Sequence, residues 1–172
     1  DSTSEAQMVT SGDDGLNFRA HLDQGFDPSS QFRFTLGTGT NAYQAGFLYK
    51  WVPIPDYENQ PAVGFIAGVT MAENSSDTVL ALQLKALTSK NFVTPYGYVS
   101  PYGGLSLAIE VTNALNGNPA QLILGSRYQA EHWSRSFVMA EFGFEIADAF
   151  SYLSVGFQYD FNENALPKIK KR

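Results

Sequence analysis

The chain has 172 residues, no cysteine and a net charge of -6, and 16% of its residues are charged whereas 14% are aromatic. This length fits one domain, the acidic balance argues against a nucleic-acid partner, and the lack of cysteine excludes disulfides and thiolate sites. No apolar run approaches the roughly 18 residues that a membrane helix needs. The charged fraction is also low for a protein whose outer surface meets water, since about 25% is typical of soluble domains.

The amino-terminal 30 residues are predicted to form a flexible leader. Residues 1–15 are polar, contain glycine and show no periodicity, which is typical of an unfolded segment. Residues 16–23 alternate between apolar and polar side chains. This short stretch fits either one additional strand or a segment packed across the mouth of the sheet structure that follows.

From residue 31 the sequence predicts eight strands and no amphipathic helix. Apolar and polar residues alternate with a period of two, which places the large apolar side chains of each segment on one face. The predicted strands are residues 31–37, 43–52, 63–71 and 79–88, a fifth strand through Leu105, Leu107 and Ile109, and residues 121–131, 137–147 and 151–161. Turn-forming residues separate these strands, as in Asn-Gly-Asn-Pro at 116–119, which indicates an antiparallel sheet.

The two faces of these strands differ sharply in charge. The apolar phase contains no charged residue, whereas the opposite phase contains nine: Arg33, Lys50, Lys85, Glu110, Arg127, Glu131, Glu141, Glu145 and Asp160. Two structures fit this separation. Either the apolar phase faces lipid and the charges line a lumen, or the apolar phase fills a soluble, lipocalin-like barrel that binds a small ligand.

The residues of the polar phase favour the membrane arrangement. Many are glycine or alanine, which suit the crowded interior of a narrow barrel better than a solvated exterior. Aromatic residues also lie near the predicted strand ends, where membrane barrels carry interfacial girdles. The candidates for such a girdle are Tyr43, Trp51, Tyr128 and Tyr159.

The last strand carries a more specific pattern. Ser154, Gly156, Tyr159 and Phe161 resemble the closing strand of bacterial outer-membrane β-barrels, in which a polar residue, a glycine and two aromatics occupy these positions. The Pro-Tyr pairs within residues 94–104 resemble the start of a barrel strand in the same family. The chain is thus similar to small outer-membrane β-barrel proteins of Gram-negative bacteria, of the OmpA/OmpX type.

This resemblance implies an all-β fold, an eight-stranded antiparallel up-and-down transmembrane β-barrel, located in the bacterial outer membrane. It implies contact with the lipid bilayer and lipopolysaccharide, recognition by the barrel-insertion machinery, and no cofactor. The corresponding organisation is a leader over residues 1–30, the barrel over residues 31–161 and a basic tail over residues 162–172. Nine ionisable groups in a confined lumen need partners, so we expect a salt-bridged, largely plugged lumen and a structural or loop-mediated role, not an enzyme; the external partner remains unknown.

One alternative assigns an activity to the chain. His132 and Ser134 resemble the His-x-Ser pair of outer-membrane lipid A deacylases, in which the histidine activates the serine and a glutamate orients the histidine. Glu141 or Glu145 would be the third member. The family motif continues with asparagine, whereas this chain has Arg135. No metal site is expected, because the other histidine, His21, has no partner at metal-ligand spacing.

Overall fold

The structure is a computed structural model that describes residues 2–11, 15–39, 43–74, 77–112 and 118–161. Its strands are β1 (Ser2–Ser11), β2 (Gly15–Asp27), β3 (Ser30–Gly39), β4 (Tyr43–Ile54), β5 (Ala62–Asn74), β6 (Asp77–Ser89), β7 (Phe92–Thr94), β8 (Gly97–Glu110), β9 (Ala120–Ala130), β10 (Ser136–Ala147) and β11 (Tyr152–Asp160). All strands except the three-residue β7 form one ring of antiparallel neighbours, a ten-stranded barrel. β6 pairs with β8, and β11 pairs with β1, so the ring is closed.

The two ends of the barrel are named here by the pairing of β1 with β11. At the proximal end Thr3 lies opposite Asp160, and at the distal end Ser11 lies opposite Tyr152. Residues 28–29, 55–61, 90–96 and 131–135 connect strands at the proximal end. β7 belongs to one of these connections, where it forms a hairpin with the start of β8.

The predicted number of eight strands is wrong. Each of the eight segments predicted from residue 31 onward overlaps one strand of the ring, but the ring contains ten strands. The barrel is therefore not the eight-stranded OmpA/OmpX type. Its antiparallel up-and-down topology is as predicted.

The two additional strands come from the predicted leader. Residues 2–11 form β1 and residues 15–27 form β2, and β1 pairs along its length with both β2 and β11. The sequence conceals β1 because its outward positions, such as Ser4, Ala6 and Thr10, are small or polar and give no large apolar alternation. β1 is held in the sheet by pairing with β2 and β11, both of which are more apolar than β1. The predicted tail, residues 162–172, lies outside the described residues.

The exterior of the barrel is apolar. Large side chains on the outward phase are half exposed around the ring, among them Phe18, Leu22, Phe34, Leu36, Phe47, Phe65, Val69, Leu105, Leu107, Leu124, Phe142, Phe144, Val155 and Phe157. Charged residues are absent from this phase across the central part of each described strand. The lipocalin-like alternative is wrong in this respect, since it requires the apolar phase inside. A continuous apolar band is a surface suited to lipid.

Candidate functional site: the barrel lumen

Arg33 on β3 is the centre of a buried ion cluster on one wall of the lumen. Its guanidinium binds Asp23 in a bidentate manner, with Nε to Oδ1 and Nη2 to Oδ2 both at 2.7 Å. Nη2 also lies 3.3 Å from Oε2 of Glu5. Asp23 stands directly opposite Arg33 in the β2–β3 ladder, so the pair is a cross-strand contact. The side chains of both acids are less than a tenth exposed, which strengthens charge-assisted hydrogen bonds.

Further polar groups extend this cluster along β1, β2 and β3. His21 is 2.8 Å through Nδ1 from the Thr35 hydroxyl and 3.4 Å through Nε2 from Oε1 of Gln7. The Gln7 amide donates to Glu5 and approaches the sulfur of Met139 on β10 at 3.7 Å. The polar network therefore crosses from the β1–β3 wall to β10.

Glu141 on β10 is held by two tyrosine hydroxyls. Tyr102 on β8 donates to Oε2 at 2.8 Å, and Tyr152 on β11 donates to Oε1 at 2.6 Å. Both oxygens of the carboxyl group are used. We call this arrangement of Tyr102, Glu141 and Tyr152 the tyrosine bridge; it ties three strands together from inside the lumen.

Two glycines make room for the tyrosine bridge. Gly125 lies opposite Tyr102 and Gly143 lies opposite Tyr152 in the strand ladders. A β-carbon on Gly125 would lie 2.4 Å from the Tyr102 ring, and one on Gly143 would lie 2.0 Å from the Tyr152 ring. Each ring thus lies flat over the backbone of a neighbouring strand, a packing in which an aromatic side chain covers a glycine.

Besides Arg19 on β2, three further cations that line the central cavity have no ion pair among the described residues. Lys50 on β4 and Lys85 on β6 have no salt bridge or hydrogen bond to any described residue. The Arg127 guanidinium on β9 lies over the ring of Phe137, with its carbon 4.4 Å from the ring centroid, a cation–π contact.

The described strands surround a cavity of about 260 Å³ inside the lumen. Its charged lining residues are Glu5, Arg33, Lys50, Lys85, Arg127 and Glu141, and Ser89, Asn91 and Ser100 line it toward the proximal end. Tyr102 also lines the cavity, so the tyrosine bridge forms part of its floor. Ten strands enclose a wider interior than the eight that side chains alone fill, and this width accounts for the space.

The remaining predicted lumen charges lie at the ends of the barrel. Glu110 and Glu145 lie near the distal end, and Glu145 is exposed. Asp160 is buried near the proximal end, where Gln158 donates to it at 3.1 Å. Glu131 is not in the lumen: it follows the last residue of β9 in an exposed turn, and its backbone N–H donates to the Tyr96 carbonyl. The prediction for Glu131 is wrong because β9 ends one residue before it.

Sequence reasoning missed four polar residues of the lumen wall, including both acids that bind Arg33. Glu5, Arg19, His21 and Asp23 all lie on the two strands taken for a leader. The alternation within residues 16–23 is the signal that identifies three of them, because it places Arg19, His21 and Asp23 on the same polar phase. Tyr102 was hidden among prolines at the start of β8, and no sequence pattern marks it as a partner of a glutamate.

The predicted insertion motif runs from the third residue of β11 to the residue just past its proximal end. Ser154 and Gly156 face the lumen and are buried, whereas Tyr159 faces outward. Phe161 follows the strand, and its ring meets that of Tyr159 edge to face at 5.5 Å. The motif thus contributes small groups inside and an aromatic pair outside.

The predicted girdle residues lie near strand ends and face outward. Trp51, Tyr128 and Tyr159 are at the proximal end, and Tyr43 is at the distal end. Each of these residues is between 36% and 46% exposed on the outer surface. Such exposure near a strand end is expected of an aromatic residue at a membrane–water interface. Their contact with lipid headgroups stays a prediction.

The proximal connections are fastened by an ion pair. Lys90 donates to Oδ1 of Asp56 at 2.5 Å and to the carbonyls of Glu58 and Gln60. The Asn91 N–H donates to the other oxygen of Asp56 at 2.8 Å. Hydrogen bonds from Lys90 and, to a smaller extent, from Asn91 hold the pKa of the Asp56 carboxyl below its usual range.

The residues of the alternative hydrolase do not form a triad. His132 and Ser134 lie in the exposed proximal turn after β9, and His132 meets Trp133 edge to face. Glu145 lies toward the opposite end of β10, and Glu141 is engaged by two tyrosines inside the lumen. A catalytic serine, histidine and carboxylate need mutual hydrogen-bond distances, so the geometry does not support this arrangement.

Other kinds of site are not found among the described residues. No group of three or more histidine or acidic side chains is placed to hold a metal ion within the ranges that the structure describes. In the same part of the chain, no helix is long and apolar enough to cross a bilayer.

Comparison with known proteins identifies the fold. No known family and no curated protein matches the sequence. Among solved structures, KdgM porin is 13% identical over 93% of this chain and 99% of that chain, with a TM-score of 0.53. A de novo designed transmembrane β-barrel is 11% identical over 92% of both chains, with a TM-score of 0.45. The translocator domain of the autotransporter NalP from Neisseria meningitidis is 12% identical over 93% of this chain and 87% of that chain, with a TM-score of 0.40.

The similarity to KdgM porin shows a shared antiparallel up-and-down barrel. The apolar band around this barrel is independent of that comparison, and it is a surface suited to lipid. The chain therefore has the fold of an antiparallel up-and-down β-barrel together with an apolar exterior of the kind that membrane β-barrels carry.

Proposed function

We propose that the chain is an integral outer-membrane β-barrel whose lumen is closed from within and whose role is structural or loop-mediated, not solute conduction. The apolar exterior and the resemblance of Ser154, Gly156, Tyr159 and Phe161 to a barrel-closing motif support the location. The same resemblance supports lipid, lipopolysaccharide and the barrel-insertion machinery as partners.

The observation that carries the closed lumen is the presence of two polar networks on adjoining parts of the wall, which meet where β1 pairs with β11. The cluster around Arg33 lies on β1, β2 and β3, whereas the tyrosine bridge joins β8, β10 and β11. Gln7 contacts Met139 between them. An ion moving through the lumen has to displace buried, hydrogen-bonded charges, and breaking such contacts is costly.

Membrane fractionation and gel mobility test the location. We expect the protein to remain with the outer membrane and the detergent-extracted protein to change mobility on boiling, because a closed barrel stays compact in the cold. Recovery in the soluble fraction without detergent would contradict the proposal.

Planar-bilayer recording tests the closed lumen. We expect the wild type to show no steady conductance and the Glu141→Gln variant to show brief openings, because neutralising this carboxyl group weakens both tyrosine contacts. The matched control is Glu145→Gln, which removes the same charge from an exposed position on the same strand. Steady conductance of the wild type would refute the closure while leaving the membrane location intact.

A further inference from the structure

The cavity in the lumen is a compartment with unequal charge. Four of its lining residues are cationic, namely Arg33, Lys50, Lys85 and Arg127, and two, Glu5 and Glu141, are acidic. Residues of the proximal connections and strand ends line one side of it, and Tyr102 of the tyrosine bridge lines the other. We call this cavity the proximal vestibule.

The acidic groups of the proximal vestibule already have partners. Glu5 binds Arg33 and receives a hydrogen bond from Gln7, and Glu141 receives hydrogen bonds from both tyrosines of the bridge. Neither carboxyl group forms a salt bridge with Lys50 or Lys85 among the described residues. The two ammonium groups therefore face the cavity with hydrogen-bond donors that no described protein group accepts.

The strand register brings the two lysines to one side of the cavity. Lys50 lies opposite Ile66, and Ile66 lies opposite Lys85, in the ladders of β4, β5 and β6. Neighbouring strands are about 4.8 Å apart, so the two α-carbons are roughly 10 Å apart on the same inward face. The apolar Ile66 between them supplies no counter-charge. Arg127 lines the cavity from β9, on a different part of the wall.

Buried charges of the same sign need compensation, because removing an ammonium group from water without a counter-ion is costly. We propose that the proximal vestibule is a binding site for a small inorganic oxyanion of the phosphate class, held by Lys50, Lys85 and Arg127. Lysine supplies a point charge and arginine a planar pair of donors, and both are common phosphate ligands in proteins.

The size and position of the cavity define this ligand. Its volume of about 260 Å³ corresponds to roughly nine water molecules at about 30 Å³ each, which accommodates a tetrahedral oxyanion with some of its hydration. Continuous ladders from β4 to β9 separate the cavity from the lipid side. A phosphate group attached to a bilayer lipid cannot reach it through this wall, so the ligand is a free anion.

Titration calorimetry of the full chain, folded in detergent, with inorganic phosphate tests this site. We expect saturable binding by the wild type and binding about tenfold weaker for Lys50→Gln and for Lys85→Gln, because each variant removes one charge-assisted contact. The control is Lys90→Gln, which removes the same charge from the proximal connections and does not line the cavity; it should bind like the wild type. Absence of saturable binding by the wild type would overturn the proposal, as would equal binding by the variant that carries both cavity substitutions.

Thermal unfolding provides a second readout that separates binding from folding. Phosphate should raise the midpoint of the wild type and of Lys90→Gln, because a ligand that binds only the folded state stabilises it. It should leave the midpoints of the cavity variants nearly unchanged. The gel shift on boiling establishes that each variant is folded, and equal stabilisation of all four proteins by phosphate would refute a site in the proximal vestibule.

Discussion

Substitution of Gly143 by alanine isolates the contribution of the tyrosine bridge. Glycine inside a strand is usually unfavourable by about 0.5–1 kcal/mol relative to alanine, so the substitution stabilises where the new β-carbon has room. At Gly143 the new β-carbon would lie 2.0 Å from Cε1 of Tyr152. The ring is rigid and has to leave the surface of β10, which separates its hydroxyl from Glu141.

The magnitude follows from the contact that is lost. A hydrogen bond to a carboxylate contributes about 1.5–3 kcal/mol, whereas the gain from replacing glycine is at most about 1 kcal/mol. We therefore expect Gly143→Ala to lower the free energy of unfolding by about 1–2 kcal/mol. Gly64→Ala is the matched control, because its β-carbon would meet its nearest neighbours at 3.4 Å and we expect it to be neutral or stabilising.

Urea unfolding in lipid vesicles, followed by tryptophan fluorescence, measures both variants. Tyr152→Phe alone should cost about 1.5–3 kcal/mol because one oxygen of Glu141 loses its donor. The same substitution in the Gly143→Ala background should cost little, since the contact is already broken, and the double-mutant cycle therefore yields a coupling energy. If Gly143→Ala is as stable as Gly64→Ala, or if the two costs simply add, the bridge does not stabilise the barrel in this way.

Three further predictions concern the ion pairs and the closure of the ring. Asp23→Asn should lower the free energy of unfolding by about 3–5 kcal/mol, because it leaves Arg33 buried without its bidentate partner. Asp56→Asn, at the more exposed pair with Lys90, should lower it by no more than about 1 kcal/mol. Equal losses in urea unfolding would contradict the burial argument. The pKa of Asp56 is lowered in the folded state. The stabilisation by its carboxylate is therefore complete above the unfolded pKa near 4 and is lost as the pH falls through the lower folded pKa. The stability difference between the wild type and Asp56→Asn should be constant near neutral pH and vanish below the folded pKa. Deletion of residues 1–11 should abolish the gel shift on boiling, because β2 and β11 are both antiparallel to β1 and would meet as parallel neighbours; a deleted protein that retains the shift would show that the segment is a leader after all.

The sequence predicted the wall of the barrel well wherever side chains alternate strongly. In β4, Phe47 and Tyr49 face outward and Lys50 faces the lumen, as the period of two requires. In such a strand, the alternation of residues along the chain determines which side chains face outward, so the sequence alone predicts their burial. β1 lacks this alternation because Ala6 and Ser4 face outward in place of large apolar groups. Its position depends on pairing with other strands, including β11, which is distant in sequence.

The candidate site was predictable only in part, because the sequence identifies the charged residues of the lumen but not the residues with which they pair. A charge on the polar phase identifies a lumen residue, but its partner depends on register across strands, and neither the alternation nor the turns fix that register. Glu141 illustrates this limit: charge balance suggested an arginine or lysine partner, whereas the structure supplies two tyrosine hydroxyls. The glycines that admit those rings were visible on the polar phase and were interpreted only as small groups in a narrow interior.

The missed strands and the incomplete charge pairing have one cause. Arg33 is satisfied by Glu5 and Asp23, both of which lie on β1 and β2. Once these two acids bind Arg33, Glu141 is available to the tyrosines, and Lys50 and Lys85 form no salt bridge or hydrogen bond with the described residues. Adding two strands thus both widens the lumen and redistributes its charges. The width supplies the space of the proximal vestibule, and the redistribution supplies the cations that face it, so both requirements of an anion site follow from the same change in strand number.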